Sequence, residues 1–397
     1  MITPVAPPTG RPLVLAVTGT NGKTSVSSAT LQLLRAIGWP AAGYDSTGIT
    51  DLDGVTHTAR VRRSVGYLPQ LIAYQAQAGA RAVAVEAFVG LLAEGMFAHV
   101  EVDTAVCTGL ELDHLDVHKS PENYWAAKLS LFDRHLRPDG IAVMPVDCAR
   151  GVQVRAAVAR RGAKLVTLGE AGDVALMDVR TAADRLFGRL VIHGDAHDVE
   201  LPFVHRIAVS NALLAAIAVI GAGGRPSDVV EALSGIVPPP GRLQTAAQDR
   251  GIHAMVDTAH NPGALRTALA AVRERAAGRV LLVFGAGGER DAGKRAEMGR
   301  VAAAGADLVV LTDDNPRRES PGRIRSQVRT GCPNCIEIPR RSDAIAAAIR
   351  MAKPGDVVLV AGKGDETRQL VDGKAVEHDD REVIRKVMAE LGSSNGA

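Results

Sequence analysis

One stretch has both the residue types and the spacing to bind a phosphate. The apolar run Leu13–Val17 is followed at once by Thr18-Gly19-Thr20-Asn21-Gly22-Lys23-Thr24-Ser25. The run reads as a short buried strand, Gly19 and Gly22 free the backbone, and the residues after Lys23 keep helical character to about Ala36. Strand, glycine loop and helix N-terminus together make an anion trap. Backbone N–H groups and the helix dipole face the phosphate, Lys23 adds a full positive charge, and the Thr24 or Ser25 hydroxyl can reach Mg2+. The standard spacing is not met, because the first glycine of that pattern falls on Val17; the shorter G-x-x-G-K-T form stands here.

Other polar residues lie where apolar runs end. Glu86 closes Ala82-Val-Ala-Val-Glu86; a carboxylate at the carboxyl end of a parallel strand can hold Mg2+, or it can be a solvated loop residue. Asp113-His114-Leu115-Asp116-Val117-His118 can be a second metal cluster, or helix capping and surface polarity. Lys128 sits among apolar residues in YWAAKLSLF; such a lysine either snorkels to the surface or, if buried, becomes less basic and more reactive. Cys332-Pro-Asn-Cys335 has zinc-knuckle spacing but no second pair nearby, and reads as a loop leading into a strand.

These residues need a large scaffold to hold them. The chain has 397 residues, 46% of them hydrophobic but only 3% aromatic, so its core is built from Ala, Val, Leu and Ile, as in parallel sheets. The net charge is +2 without like-charge runs, which disfavours nucleic acid as a partner. No apolar stretch has the length of a membrane span, no signal peptide core is present, and four cysteines make no disulfide framework; a cytoplasmic location is expected.

In chain order, residues 1–11 form a Pro-rich lead. A polar excursion from Asp45 to Ser64 follows the first helix, and strands are expected near Ala82–Val85, Thr104–Thr108 and Ile141–Met144, with a helix from Pro121 to His135. Short β-prone runs fill Lys164–Leu201, and Ala-rich helices occupy Ile207–Ile220 and Pro226–Leu233. After the linker Val237-Pro-Pro-Pro-Gly241, strands alternate with helices to the end. The pattern predicts α/β architecture: a central P-loop-type ATPase domain with a mostly parallel sheet over 12–238, and a doubly wound, Rossmann-like domain over 239–397, with the nucleotide between them.

TGTNGKT, the Glu86 strand end, DHLD, YWAAKLSLF, GRLQ, VDTAHNP, FGAGGERDAGKR, DDNPR, AGKGDE and DDREV follow one another in this order. The series resembles that of the Mur ligases, most closely the MurE type, over roughly residues 12–390. Folylpolyglutamate synthase and the C-terminal half of cyanophycin synthetase are similar but more distant. The resemblance implies an ATP-dependent ligase that joins an amino acid to a carboxylate through an acyl phosphate, releasing ADP and phosphate. It implies that Gly19, Thr20, Asn21, Gly22, Lys23, Thr24 and Ser25 hold the ATP phosphates, with Thr24 and Glu86 on one Mg2+ and His114 on a second. Lys128 matches the lysine that carries a carbamate beside the metals, so Lys23, His114 and Lys128 are the implied catalytic residues. Asn211 would meet the adenine, and Arg242, Asp257 and His260 would reach the nucleotide. Arg290, Asp314, Asn315, Arg317, Gly362 and Glu366 match the pocket for the incoming amino acid in meso-diaminopimelate-adding enzymes.

The departures from that pattern gather on the acceptor side. Only a short lead precedes the first strand, so the domain that grips the UDP-sugar is expected to be missing. Arg63-Ser64-Val65-Gly66-Tyr67-Leu68 stands where the substrate loop carries TTP, Ala87-Phe88-Val89 replaces Ser-Ser-His, and Gly109 replaces an Asn. A non-standard carboxylate acceptor is therefore expected, a small molecule or peptide that a partner protein could hold, with Arg60, Arg62 and Arg63 as candidate contacts. The alternatives are true UDP-muramoyl-peptide ligation, a cyanophycin-type reaction, and a non-catalytic ATP-binding subunit.

Overall fold

The computed structural model describes residues 2, 10–57, 64–110, 120–182 and 185–393 of the chain. They divide into two compact units, Met1–Pro239 and Pro240–Ala397.

In the first unit, β1 (Leu13–Thr18) leads through the glycine loop into α1 (Lys23–Ala36). Then come β2 (Ala41–Asp45), β3 (Gly48–Thr50), β4 (Thr56–His57), α2 (Tyr67–Gln77), β5 (Ala82–Glu86), α3 (Val89–Ala93) and β6 (Val102–Cys107). After α4 (Pro121–Ser130) follow β7 (Leu136–Pro145), α5 (Gly151–Arg161), β8 (Lys164–Leu168), β9 (Val174–Ala182), β10 (Arg185–Ile192), β11 (Asp195–Leu201), α6 (Arg206–Gly221) and α7 (Pro226–Ala232). The strands form one sheet in the order β11-β10-β9-β8-β7-β6-β1-β5-β2-β3-β4. Its centre, β2-β5-β1-β6-β7-β8, is parallel, and antiparallel hairpins extend both ends.

β1 is apolar throughout because both of its faces are covered. Leu13, Leu15 and Val17 pack with Leu33 and Leu34 of α1 and with Leu213, Leu214 and Ile217 of α6. Val14 and Ala16 pack on the other face with Leu68, Phe97 and Phe132. The strongly apolar α6 is a buried core helix, and among the described residues no helix is long and apolar enough to cross a membrane. Ser120 caps α4: its Oγ accepts from Asn123 N at 3.2 Å. Beyond Ser130 the helix widens into a π-helical turn, Leu131–His135, rather than continuing as α-helix.

Two elements of this unit are absent from the sequence reading. The Ala41-Ala42-Gly43 run of β2 has little strand propensity, and parallel pairing with β5 holds it extended. Helix α5 lies in a stretch without a start signal, its N-cap being the left-handed Arg150.

The second unit contains β12 (Gln244–Asp249), β13 (Ile252–Asp257), α8 (Pro262–Arg273), β14 (Val280–Phe284), α9 (Arg295–Gly305), β15 (Leu308–Leu311) and α10 (Pro321–Arg329). It continues with β16 (Ile336–Glu337), α11 (Arg341–Met351), β17 (Val357–Ala361), β18 (Arg368–Val371), β19 (Lys374–Glu377) and α12 (Asp380–Ser393). The main sheet runs β12-β13-β17-β14-β15-β16, parallel apart from β12, and β18-β19 form a separate hairpin. Val280, Leu282 and Phe284 of β14 pack towards α8, α9 and α10, whereas Leu281 and Val283 pack towards α11 and α12. Helices thus cover both faces, the doubly wound arrangement.

A fully buried ion pair ties this unit together. Arg341 Nε and Nη2 donate to Asp380 Oδ1 and Oδ2 at 2.8 and 2.7 Å, and Nη2 also donates to Ala361 O at 3.0 Å. Burial alone would push the Asp380 carboxyl up; the Arg341 charge and hydrogen bonds outweigh it and hold Asp380 below the usual carboxylate range. Asp380→Ala strands Arg341 in the interior, so it is expected to cost about 3–5 kcal/mol. Calorimetry should show one transition several degrees lower; an unchanged trace contradicts this reading of the pair.

Candidate active site

Strand register assembles the phosphate-loop site. Val17 pairs with Glu86 and Thr18 with Cys107, while Tyr44 of β2 pairs with Val85. The carboxyl ends of four parallel strands therefore lie side by side, and the side chains just beyond them converge on the loop. Glu86 is buried; its Oε2 accepts from Thr24 Oγ1 at 2.9 Å and from Ser46 N at 3.2 Å. Ser46 Oγ lies 3.3 Å from Thr24 Oγ1. Burial raises the Asp45 carboxyl, and the like charge of Glu86 adds to this against the Thr47 hydrogen bonds. Hydroxyls and carboxylates with no nitrogen or sulfur among them suit a hard divalent cation such as Mg2+.

The loop itself is braced from behind. Thr20 N donates to Gly109 O at 2.8 Å, and Thr108 Oγ1 donates to Asn21 O. Lys23 Nζ folds over the loop to Thr20 O at 2.9 Å, and Ser25 is half-buried in the first turn of α1. Gly22 is left-handed, with φ 83°, and a Cβ there would lie 2.8 Å from Asn211 Oδ1. Asn211 of α6 thus sits against the loop, and only glycine fits between them.

Lys128 is buried, not snorkelling. Its Nζ donates to Gly19 O at 2.8 Å, approaches Thr20 Oγ1 at 3.3 Å and meets the Tyr124 hydroxyl one turn earlier on α4. The lysine head therefore lies directly beneath the phosphate loop. His114, and with it the whole Asp113–His118 cluster, falls outside the described residues, as do Arg60, Arg62 and Arg63.

The second unit brings together the remaining candidates in two groups. Asp257, at the end of β13, accepts from Leu243 N and Ala259 N at 2.8 Å each; burial raises its carboxyl and the neighbouring Arg242 charge opposes this. Exposed His260 joins Thr258 O through Nδ1 at 2.8 Å. Gly362 N donates to Asp257 O at 2.9 Å, linking this turn to the second group.

That group is a pocket of alternating charge. Asp314 is buried, and its Oδ2 has no hydrogen-bond partner among the described residues. A Cβ on Gly362, whose φ is +117°, would lie 2.4 Å from that oxygen. Arg317 adopts a left-handed backbone, φ 56°, held by Arg317 N to Leu370 O at 2.9 Å, and its Nη1 donates to Gly288 O at 2.6 Å. Burial lowers the Arg317 guanidinium and the nearby Arg290 adds to this, while Asp314 and Glu366 oppose it. Asn315 Nδ2 donates to Glu366 Oε2 at 2.8 Å. Two guanidiniums and two carboxylates in one cluster can hold a ligand that carries both carboxylate and ammonium groups.

Two family models match the chain: the Mur ligase middle domain over residues 17–219 and the Mur ligase glutamate ligase domain over residues 241–364. The UDP-N-acetylmuramoyl-L-alanyl-D-glutamate–2,6-diaminopimelate ligase of Zymomonas mobilis is 39% identical over 371 residues, which is 91% of this chain and 74% of that one. The chain belongs to the Mur ligase family. Its counterpart in Rhizobium meliloti is 35% identical over 95% of this chain and 78% of its own length. A solved structure of a diaminopimelate ligase of this name superposes with a TM-score of 0.66 at 30% identity, covering 98% of this chain and 80% of that one. Folylpolyglutamate synthase of Mycobacterium tuberculosis, at 19% identity and a TM-score of 0.70 over 89% of each chain, shares the fold.

Like other Mur ligases of MurE type, the protein is an ATP-dependent, ADP-forming ligase, and the family uses ATP and Mg2+. The reading as a non-catalytic subunit is thereby set aside. Several residues of this site escape a reading of the sequence. Asp45 and Ser46 are signalled only by a weak Ala-Ala-Gly strand, and Tyr124 and Thr108 look like ordinary helix and strand-end residues. Cys332 and Cys335 are buried free thiols before β16, and burial pushes Cys332 up to about 11, which keeps it protonated.

Glu319 and Arg295 fix the Gly287–Arg290 side of the pocket. Buried Arg295 donates to both Glu319 oxygens at 2.7 Å and to Gly287 O at 2.9 Å, and Glu289 N donates to Glu319 at 3.0 Å. The Arg295 hydrogen bonds draw the Glu319 carboxyl down to about 2. Its folded value is thus depressed, so the stability it confers is fully present above the ordinary glutamate range and is lost as pH falls towards 2. Glu319→Gln is expected to cost about 1–2 kcal/mol at pH 7, after allowance for solvent screening, and roughly half of that at pH 3. Denaturant titrations at the two pH values check this; a pH-independent difference contradicts it.

Proposed function

We propose that this Mur ligase couples a diamino-dicarboxylic amino acid to a carboxylate acceptor that differs from the UDP-muramoyl-dipeptide. The observation that carries the amino-acid half is the cluster of Arg290, Arg317, Asp314 and Glu366, whose charges act on one another beside Gly362. Fixed charges of both signs fit a ligand with its own zwitterionic end, and the Zymomonas mobilis and Rhizobium meliloti relatives are named as 2,6-diaminopimelate ligases. The acceptor half rests on sequence. Ala87 and Phe88, directly after Glu86, offer no hydroxyl where the family pattern has two serines.

In the proposed reaction, the acceptor carboxylate attacks the γ-phosphate of ATP, forming an acyl phosphate and releasing ADP. The amine of the amino acid then attacks the acyl carbon, phosphate leaves, and an amide remains. Gly19–Ser25 grip the phosphates, and Lys23 offsets the charge that develops on the transferred group. Thr24 and Glu86, with Asp45 nearby, would hold Mg2+, which when bound would neutralise phosphate charge. Asn211 orients the adenine, and Arg242, Asp257 and His260 contact the nucleotide. Lys128, by adding CO2 through its neutral amine and losing a proton, would bear a carbamate, and that anionic oxygen group together with His114 would hold a second Mg2+. Arg317 and Arg290 pair with ligand carboxylate and Asp314 and Glu366 with ligand ammonium, while Asn315 holds Glu366 in place through its Nδ2.

A second reading, true UDP-muramoyl-peptide ligation, is favoured by the 39% identity to an enzyme so named. Phosphate release from MgATP, with meso-diaminopimelate, lysine, arginine, glutamate and aspartate crossed against UDP-muramoyl-dipeptide and other carboxylates, separates the two. The expected result is release that requires diaminopimelate together with a non-nucleotide acceptor. Turnover with UDP-muramoyl-dipeptide at least as fast as with any other acceptor overturns the proposal and establishes the second reading.

A further inference from the structure

Lys363 lies between Gly362 and Gly364, directly after the wholly apolar β17, and its side chain is completely buried. An ammonium group has three N–H donors, and here each finds an acceptor: Arg368 O at 2.7 Å, Glu366 Oε2 at 2.8 Å and Asn315 Oδ1 at 3.1 Å. A buried charge satisfied in this way is a strong local constraint, because every alternative leaves a polar group stranded.

The first consequence concerns the Asn315 amide. Its Oδ1 faces two groups that can only donate, Lys363 Nζ and Leu370 N, the latter at 2.9 Å. The amide is therefore held with its oxygen inward and its Nδ2 towards Glu366. The second concerns Glu366. Lys363 and Asn315 both engage Oε2, while the side chain as a whole is 49% exposed, which leaves Oε1 on the open side. The third concerns the chain that follows. Lys363 holds Arg368 O, Gln369 reaches back to Asp314 O at 2.5 Å, and Leu370 O takes Arg317 N at 2.9 Å, so residues 363–371 are laced to the Asp314–Arg317 turn.

We infer that Lys363 is a positioning residue that sets amino-acid specificity: it locks the Asn315 amide and pins one Glu366 oxygen, so that the other meets a cationic group of the incoming amino acid. The ligand class rests on the reading of the pocket proposed above; the positioning does not.

The test uses the full chain with Lys363→Met, Glu366→Gln and the double variant. In Lys363→Met, hydrogen exchange across residues 363–371 is expected to quicken at least tenfold while the rest of the second unit is unchanged. Unaltered exchange there, or exchange that quickens throughout the unit, overturns the positioning role whatever the substrate is. In steady-state assays, the KM for diaminopimelate should rise at least tenfold, with the KM for ATP within twofold and kcat reduced less than threefold. A fall in kcat with KM unchanged would mean a merely structural lysine and overturns the inference. Because part of the Lys363 effect runs through Glu366, the double variant should lose less than the product of the two single effects; effects that multiply in full overturn it. If wild-type protein turns over no diamino-dicarboxylic acid, the ligand class fails, and the exchange measurement still decides the positioning.

Discussion

The register of the parallel strands is the constraint on which everything else rests. Val17 lies opposite Glu86, Thr18 opposite Cys107, and Tyr44 opposite Val85. A shift of one residue would turn each strand's side chains to the opposite face of the sheet. Because both faces are buried, such a slip would disrupt two hydrophobic clusters at once, and the core thereby fixes the position of Glu86 against Thr24. The site chemistry is in this sense a consequence of packing. The same rule operates in the second unit, where β14, β15 and β17 end side by side and release the segments FGAGGER, DDNPR and AGKGDE. In each unit by itself the candidate residues thus lie at the carboxyl ends of parallel strands, where open α/β sheets place their ligands.

The buried polar groups divide by what surrounds them. Lys363, Asp380 and Glu319 have their charges met by named partners and act as fasteners for segments that carry ligand-facing atoms. Asp314 is placed otherwise: its Oδ2 packs against Gly362, where only a residue without a Cβ leaves it room, and its charge acts on Arg317 beside it.

Much of this was legible in the sequence. Leu13–Val17, Ala82–Val85 and Val280–Phe284 announce buried strands because covered faces require continuous apolar runs, and the glycine loop after Leu13–Val17 announces its anion site. The burial of Lys128 was not legible. Its neighbours Leu129, Leu131 and Phe132 say that α4 has an apolar face, but the acceptors that draw the ammonium inward are Gly19 O and Thr20 Oγ1, over a hundred positions earlier. Asp45 and Ser46 were hidden because their strand is Ala-Ala-Gly-Tyr, which becomes a strand only by pairing with β5. Lys363 was overlooked because its role depends on a turn around Asn315, which local pattern does not encode.

The central claim is that strand register builds an oxygen site for Mg2+ at the phosphate loop, with Glu86 at its centre. Calorimetric titration of ATP into the wild-type chain and Glu86→Gln, each with and without Mg2+, tests it most directly and needs no knowledge of the acceptor. The account predicts that Mg2+ tightens ATP binding by wild type at least tenfold, about 1.4 kcal/mol, and that Glu86→Gln loses this gain while binding metal-free ATP as before. An equal gain in both proteins would contradict it.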